Sequence, residues 1–322
     1  MSLKKETPSD QLLHLASLQG NLEQLRKVLD SGRVHVDCKD KEGTTPLILA
    51  SANNHLDCVK ELLKQGADPG ARRLTGTCAL FFAAQGGYLD IVKELLENGA
   101  PVDLPSYDGG TPLFVACQCN HLDVAEELIA RGADIQAEMI DGATSLFIAA
   151  QNGHLKMVKF LLSKGAKANA RRKDGASALW IACQMGHVTV VKELIDAGAE
   201  IDCVREDGAT PLFKASHKGH LEVVKELLKC KPNLGVIKNG ESALHAAALF
   251  GQLKIVKELI QAGAKLDLKN NDGQVPTDLA REAGYVNVVE YLEKLAEITP
   301  TSTPTSAGPT DTVTITTEKT AA

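Results

Sequence analysis

Apolar residues recur along the chain in two alternating patterns. One is a short block that opens on Thr-Pro-Leu or a variant, as in Thr111-Pro112-Leu113-Phe114-Val115-Ala116. The other places apolar residues at i, i+3, i+6 and i+7, as in Leu155, Val158, Leu161 and Leu162 or Leu221, Val224, Leu227 and Leu228, with Lys225-Glu226 on the opposite face. Both patterns predict helices, the second with a single apolar stripe. Thr or Ser before the short block is a predicted N-cap, with Pro suited to the first helical position. Gly87, Gly153, Gly186, Gly219 and Gly251 predict left-handed stops for the first helix, with Asn54 and Asn120 as the tolerated substitutes. The second helix ends at another glycine, and the segment after it carries an Asp-Gly turn at 141–142, 174–175, 207–208 and 272–273.

This helix-turn-helix-finger unit repeats. The first residues of the triplets at Thr45, Cys78, Thr111, Thr144, Ser177 and Thr210 are 33 apart, then Ser242 follows after 32 and Val275 after 33. A fixed period in this range predicts a solenoid. The expected architecture is all-α, about nine helix-turn-helix units with hairpin fingers. Residues 1–7 form an extension, 8–296 the repeat domain with its first and last units as polar caps, and 297–322 a disordered Thr/Pro/Ser-rich tail. Lys231-Pro232-Asn233 replaces the usual Gly-Ala-Asp, and one residue is missing before Gly240, which predicts a cracked or mobile interface between the seventh and eighth units.

Composition narrows the function. A net charge of −6 provides no drive toward nucleic acid or an anionic membrane. No run of apolar residues is long enough to span a bilayer, so no membrane insertion is expected. Two pairs of the eight cysteines, Cys117 with Cys183 and Cys38 with Cys203, share repeat positions too far apart to bridge. Together with an N-terminus that lacks an apolar signal core, this points to a reducing, cytoplasmic setting.

The marks Thr-Pro-Leu-x-x-Ala-Ala, Gly-His-Leu, Val-Lys-Glu-Leu-Leu and Gly-Ala-Asp, in register over about residues 8–296, resemble those of the ankyrin-repeat family. That resemblance implies protein binding through a concave groove, formed by the inner face of the first helix and the finger tips. It maps contact positions onto Gln85, Gln118, Gln151, Gln184, His217 and Leu249, with Gly86, Cys119, Asn152, Met185, Lys218 and Phe250 beside them. On the fingers it maps Lys41, Glu42, Thr75, Tyr107, Ile140, Lys173, Glu206 and Lys238. Tyr107, Ile140 and Met185 are apolar where solvent-facing residues are expected, so the middle units are the expected contact region.

Other constellations read as structure. Phe81, Phe114, Phe147, Trp180 and Phe213 share one position and are expected to pack between units rather than form a binding strip. His55, His121, His154, His187 and His220 lie a layer apart, too far for one metal, and are expected to be turn residues. Cys117-x-Cys119 lacks zinc spacing; a packed thiol at 117 and a more exposed one at 119 are expected. No catalytic constellation or phosphate-cradling loop is present, so neither enzyme activity nor a cofactor is expected. The expected function is a monomeric scaffold for an unidentified protein partner. The alternatives are a structural adaptor for membrane-protein tails or cytoskeleton, and a regulatory subunit of an enzyme complex.

Overall fold

A computed structural model describes residues 6–238 and 240–298. The described residues form nine helix pairs. The first three are α1 (Pro8–Gln19) with α2 (Leu22–Asp30), α3 (Pro46–Ala52) with α4 (Leu56–Lys64), and α5 (Ala79–Gly86) with α6 (Leu89–Glu97). Next come α7 (Pro112–Gln118) with α8 (Leu122–Ala130), α9 (Ser145–Gln151) with α10 (Leu155–Ser163), and α11 (Ala178–Met185) with α12 (Val188–Asp196). The last three are α13 (Pro211–Lys218) with α14 (Leu221–Lys229), α15 (Ala243–Leu249) with α16 (Leu253–Gln261), and α17 (Pro276–Glu282) with α18 (Val286–Ile298). First helices pack on first helices from one unit to the next, and second helices on second helices at most junctions, as an all-α solenoid requires. The helix α18 runs on to Ile298, two residues into the stretch assigned to the tail; the remainder, 299–322, lies outside the described residues.

The caps follow the sequence. The side chains of Thr45, Thr111, Thr144, Ser177, Thr210 and Ser242 each accept the amide three residues on, as Thr144 does from Phe147 at 3.2 Å. Cys78 occupies the same position without a side-chain cap. Thr144→Ala removes the bond and is expected to cost about 1 kcal/mol in urea denaturation, against a change within about 0.5 kcal/mol at an exposed uncapped site.

The apolar stripe of the second helix is wider than the sequence pattern. Met157 and Val223 are fully buried beside Val158, Leu161, Val224 and Leu227, whereas Leu155 and Leu162 are half-buried. The cause is packing on more than one side, since α10 contacts both α9, its own first helix, and α12, the second helix of the next unit. The N-terminal cap also departs from expectation. Leu12, Leu15 and Leu18 form an exposed apolar line along α1, where a polar outer face is expected. The C-terminal cap is polar as expected, with Arg281 paired to Asp278 and Glu293.

The predicted crack between the seventh and eighth units does not extend to the helices. The helix α13 packs on α15, and α14 on α16, as elsewhere in the stack. The Asn233 amide donates to the Asp202 carboxylate at 3.1 Å, repeating the bonds from Asp68 to Asp37 and from Asp134 to Asp103. Lys231 takes the left-handed turn that glycine takes elsewhere, at φ 53°. The deletion is absorbed outside the helices. The arm Gly235–Ile237 is one residue shorter than its counterpart Asn169–Arg172, while the turn closes normally through the Gly240 amide on the Ile237 carbonyl at 2.8 Å. A recess of about 510 Å³, lined in part by Val204, Glu206, Val236 and Lys238, lies where the arm is short.

Candidate functional site

Each finger is a four-residue turn whose glycine has positive φ. In the fourth finger the Gly142 amide donates to the Met139 carbonyl, and the Met139 amide to the Ala143 carbonyl. Glycine is needed there because Gly142 sits at φ 85°. The first six fingers are joined in succession by one backbone bond each. The amides of Leu74, Tyr107, Ile140, Lys173 and Glu206 donate to the carbonyls of Glu42, Thr75, Asp108, Asp141 and Asp174. These donors define the tip row.

That row corrects the sequence assignment. Thr75 is equivalent to Asp108 and Asp141, not to Tyr107; the residue at the tip is Leu74. Leu74, Tyr107 and Ile140 are 60%, 64% and 63% exposed, so three consecutive tips each present a large apolar side chain to solvent. Tyr107 is held in place: Arg72 donates to the Pro105 carbonyl and lies over the tyrosine ring, 5.1 Å from its centre. Beyond Ile140 the tips are charged, with Lys173, Glu206 and Lys238 all exposed.

The fingers meet the first helices through stacked arginines. Arg73 lies over Phe82, Arg172 over Phe147 and Arg205 over Trp180. Arg172 is fixed by Asp174, and that hydrogen bond, with Arg205 nearby, holds the Asp174 carboxyl below its usual range. The aromatic row packs between units as expected. Phe114, Phe147, Trp180 and Phe213 are buried and Phe81 is half-buried.

The histidine row does more than turn the chain. The Nε2 atoms of His121, His154, His187 and His220 lie 2.9–3.0 Å from the carbonyls of Gln85, Gln118, Gln151 and Gln184 in the preceding unit. Each histidine therefore fixes the backbone of one residue in the expected glutamine row. This also explains the glycine at the end of the first helix. A Cβ at Gly153 would sit 2.7 Å from the His187 ring, so the ring itself excludes a side chain. The glutamine side chains remain available: Gln85 and Gln118 are exposed, Gln151 and Gln184 half-exposed. Beside them Cys119, Asn152, Met185, Lys218 and Phe250 are exposed, and Leu249 is half-buried. His217 is also half-buried, with its ring edge-on to Phe250 at 4.3 Å. Among the expected contacts, the structure thus gathers the glutamine row, Asn152, Met185, His217 and Lys218 at the ends of the first helices. Tyr107, Ile140 and Lys173 lie in the separate finger row.

The two thiols of Cys117-x-Cys119 differ in environment. Cys117 is fully buried and its thiol is pushed up to about 12 by that burial, while Cys119 is exposed. Among the described residues no group of His, Cys, Asp and Glu is placed to hold a metal ion, and no helix is long and apolar enough to cross a membrane.

A family model described as ankyrin repeats (three copies) matches residues 3–73, 65–139, 102–172, 146–238 and 212–302. The chain belongs to the ankyrin-repeat family, whose repeats are generally protein–protein interaction modules. It is similar to ankyrin repeat domain-containing protein 29 of Danio rerio, 52% identical over 73 residues, or 23% of this chain and 24% of the relative. The Homo sapiens protein of that name is 51% identical over 73 residues, with the same shares. Ankyrin repeat domain-containing protein 49 of Homo sapiens is 38% identical over 65 residues, 20% of this chain and 27% of the relative. These matches span about a quarter of the length of each curated relative.

Proposed function

We propose that the chain is a cytoplasmic, monomeric scaffold in which residues 8–296 act as one binding unit for a partner protein. The partner contacts the finger tips and the solvent-facing ends of the first helices in the middle units. The observation that carries this is the tip row. Leu74, Tyr107 and Ile140 remain more than half exposed although the surrounding backbone holds them in a fixed file. Large apolar groups lined up on a surface mark interaction sites, and aromatic anchors on a rigid frame bind at low entropic cost. Tyr107, Ile140 and Lys173 form the finger contacts. Gln85, Gln118, Gln151, Asn152, Gln184, Met185, His217 and Lys218 form the helix contacts.

The second reading is a structural adaptor in which the Thr-rich segment after residue 298 links the repeat unit to membrane-protein tails or cytoskeleton. Proximity labelling in cells separates the two. Partners lost from the Tyr107→Ala/Gln151→Ala/Met185→Ala variant, but kept on deletion of 299–322, support the groove. Partners lost only on that deletion support the adaptor, and the absence of any groove-dependent partner ends the first reading.

A further inference from the structure

The seven first helices α3 to α15 carry no Asp or Glu. The only fixed charges on them are Lys214 and Lys218, both on α13. Toward the N-terminal side the row equivalent to Lys214 is apolar throughout: Leu49, Phe82, Val115, Ile148 and Ile181. The two lysines are four residues apart, so they lie on one face of the helix. Among the described residues neither has a carboxylate in ion-pair range. Asp207 is the acid whose charge acts on Lys214, and it is engaged with Arg205 at 3.9 Å. Burial, then the charges of Arg205 and Lys218, lower the Lys214 ammonium from its ordinary value, while Asp207 acts in the opposite sense. The same floor also carries His217, which burial and these two lysines lower. Positive charge is thus concentrated at one level of an otherwise neutral floor and lacks a partner of opposite sign.

The tip row supplies a second measure. Packed helices lie about 8–10 Å apart, which sets the spacing between tips. A polyproline II chain advances about 9 Å in each turn of three residues. Every third side chain of such a segment therefore faces the same way and falls on a successive tip. Counting one layer per three residues, Leu74, Tyr107 and Ile140 take residues i, i+3 and i+6, and α13 stands two layers further on, about six residues along.

The geometry points to one occupant: an extended peptide segment of the partner, with apolar residues at every third position over Leu74, Tyr107 and Ile140 and acidic residues about six positions beyond, seated on Lys214 and Lys218. This rests on the groove reading above and adds the chemistry of the ligand. Charge at the α13 level fixes the register of a segment whose apolar repeat could otherwise slide by one unit.

Fluorescence anisotropy with synthetic peptides tests it on the full chain. The probe is a labelled proline-rich peptide with leucine at every third position and two glutamates about six residues beyond the last leucine, made with the glutamates at either end. The control replaces the glutamates with lysines. In one of the two directions the glutamate peptide is expected to bind about tenfold more tightly at low salt, a preference that fades at high ionic strength. Lys214→Glu/Lys218→Glu should reverse the preference, and Lys214→Gln/Lys218→Gln should abolish it with the circular dichroism spectrum unchanged. Equal affinity for the two peptides, or a preference that survives both variants, overturns the proposal. So does failure of every peptide to bind. None of these results bears on groove-dependent partners in cells, which the labelling experiment reads separately.

Discussion

Trp180→Ala is expected to destabilise the chain by about 3–5 kcal/mol. The indole is 2% exposed, its Nε1–H donates to the Ala209 carbonyl of the next unit at 2.8 Å, and Arg205 lies over its face. Truncation leaves a cavity between the sixth and seventh units and a carbonyl without its donor. It also removes the surface on which Arg205 stacks. Because stability in a repeat stack is a sum of unit and interface contributions, the loss falls on the interface between the sixth and seventh units, and the urea transition should broaden as well as shift. Trp180→Phe keeps most of the packing and loses one neutral hydrogen bond, so its cost should be nearer 1 kcal/mol. Trp180 is the only tryptophan, so far-UV circular dichroism is the suitable probe. A loss under about 1 kcal/mol for the alanine variant would mean that the aromatic row is a surface strip and not the packing between units.

Gly109→Ala should have the next largest effect and tests the finger file. Gly109 has φ 91°, a conformation that costs an L-residue about 1–2 kcal/mol. A Cβ there would also sit 2.9 Å from both the Ile140 amide nitrogen and the Met139 Cα, backbone atoms that cannot swing aside. Gly99 provides the control, at φ 85° with nothing within 4 Å of an added Cβ. Gly109→Ala should therefore lose more stability than Gly99→Ala in urea titration, and only the former should speed exchange of the Ile140 amide. Equal losses with no change in that exchange would show that successive fingers do not constrain one another.

Much of the frame was legible because it is written locally. Thr144, Ser177 and Gly153 each signal a cap or a stop within one turn of helix, and the 33-residue recurrence aligns them. What escaped depends on contacts between units. The histidine-to-carbonyl bonds run 36 residues apart, for example from His154 to Gln118, and nothing in the local pattern of Gly-His-Leu announces an acceptor. The sequence pattern puts Thr75 in the place of Leu74 because Thr75-Gly76 replaces Asp-Gly, and only the backbone bond from Leu74 to Glu42 sets the register. The irregularity near Lys231 was visible, but its consequence was not. The helices on either side still pack on one another, α13 on α15 and α14 on α16, so a missing residue in the arm 235–237 leaves the stack intact. Of the candidate site, the residue types and their rows were legible, and the division into apolar tips and a cationic level at α13 was not, because it needs exposure and pairing as well as spacing.

Site-specific photocrosslinking in cells tests the central claim most directly. A benzophenone amino acid is placed singly at Leu74, Tyr107 and Ile140 on the tips, and at the exposed Lys159 on α10 as a control. The account predicts that the tip positions capture the same partner and that Lys159 does not. Equal capture from Lys159, or different proteins from each tip, would contradict it.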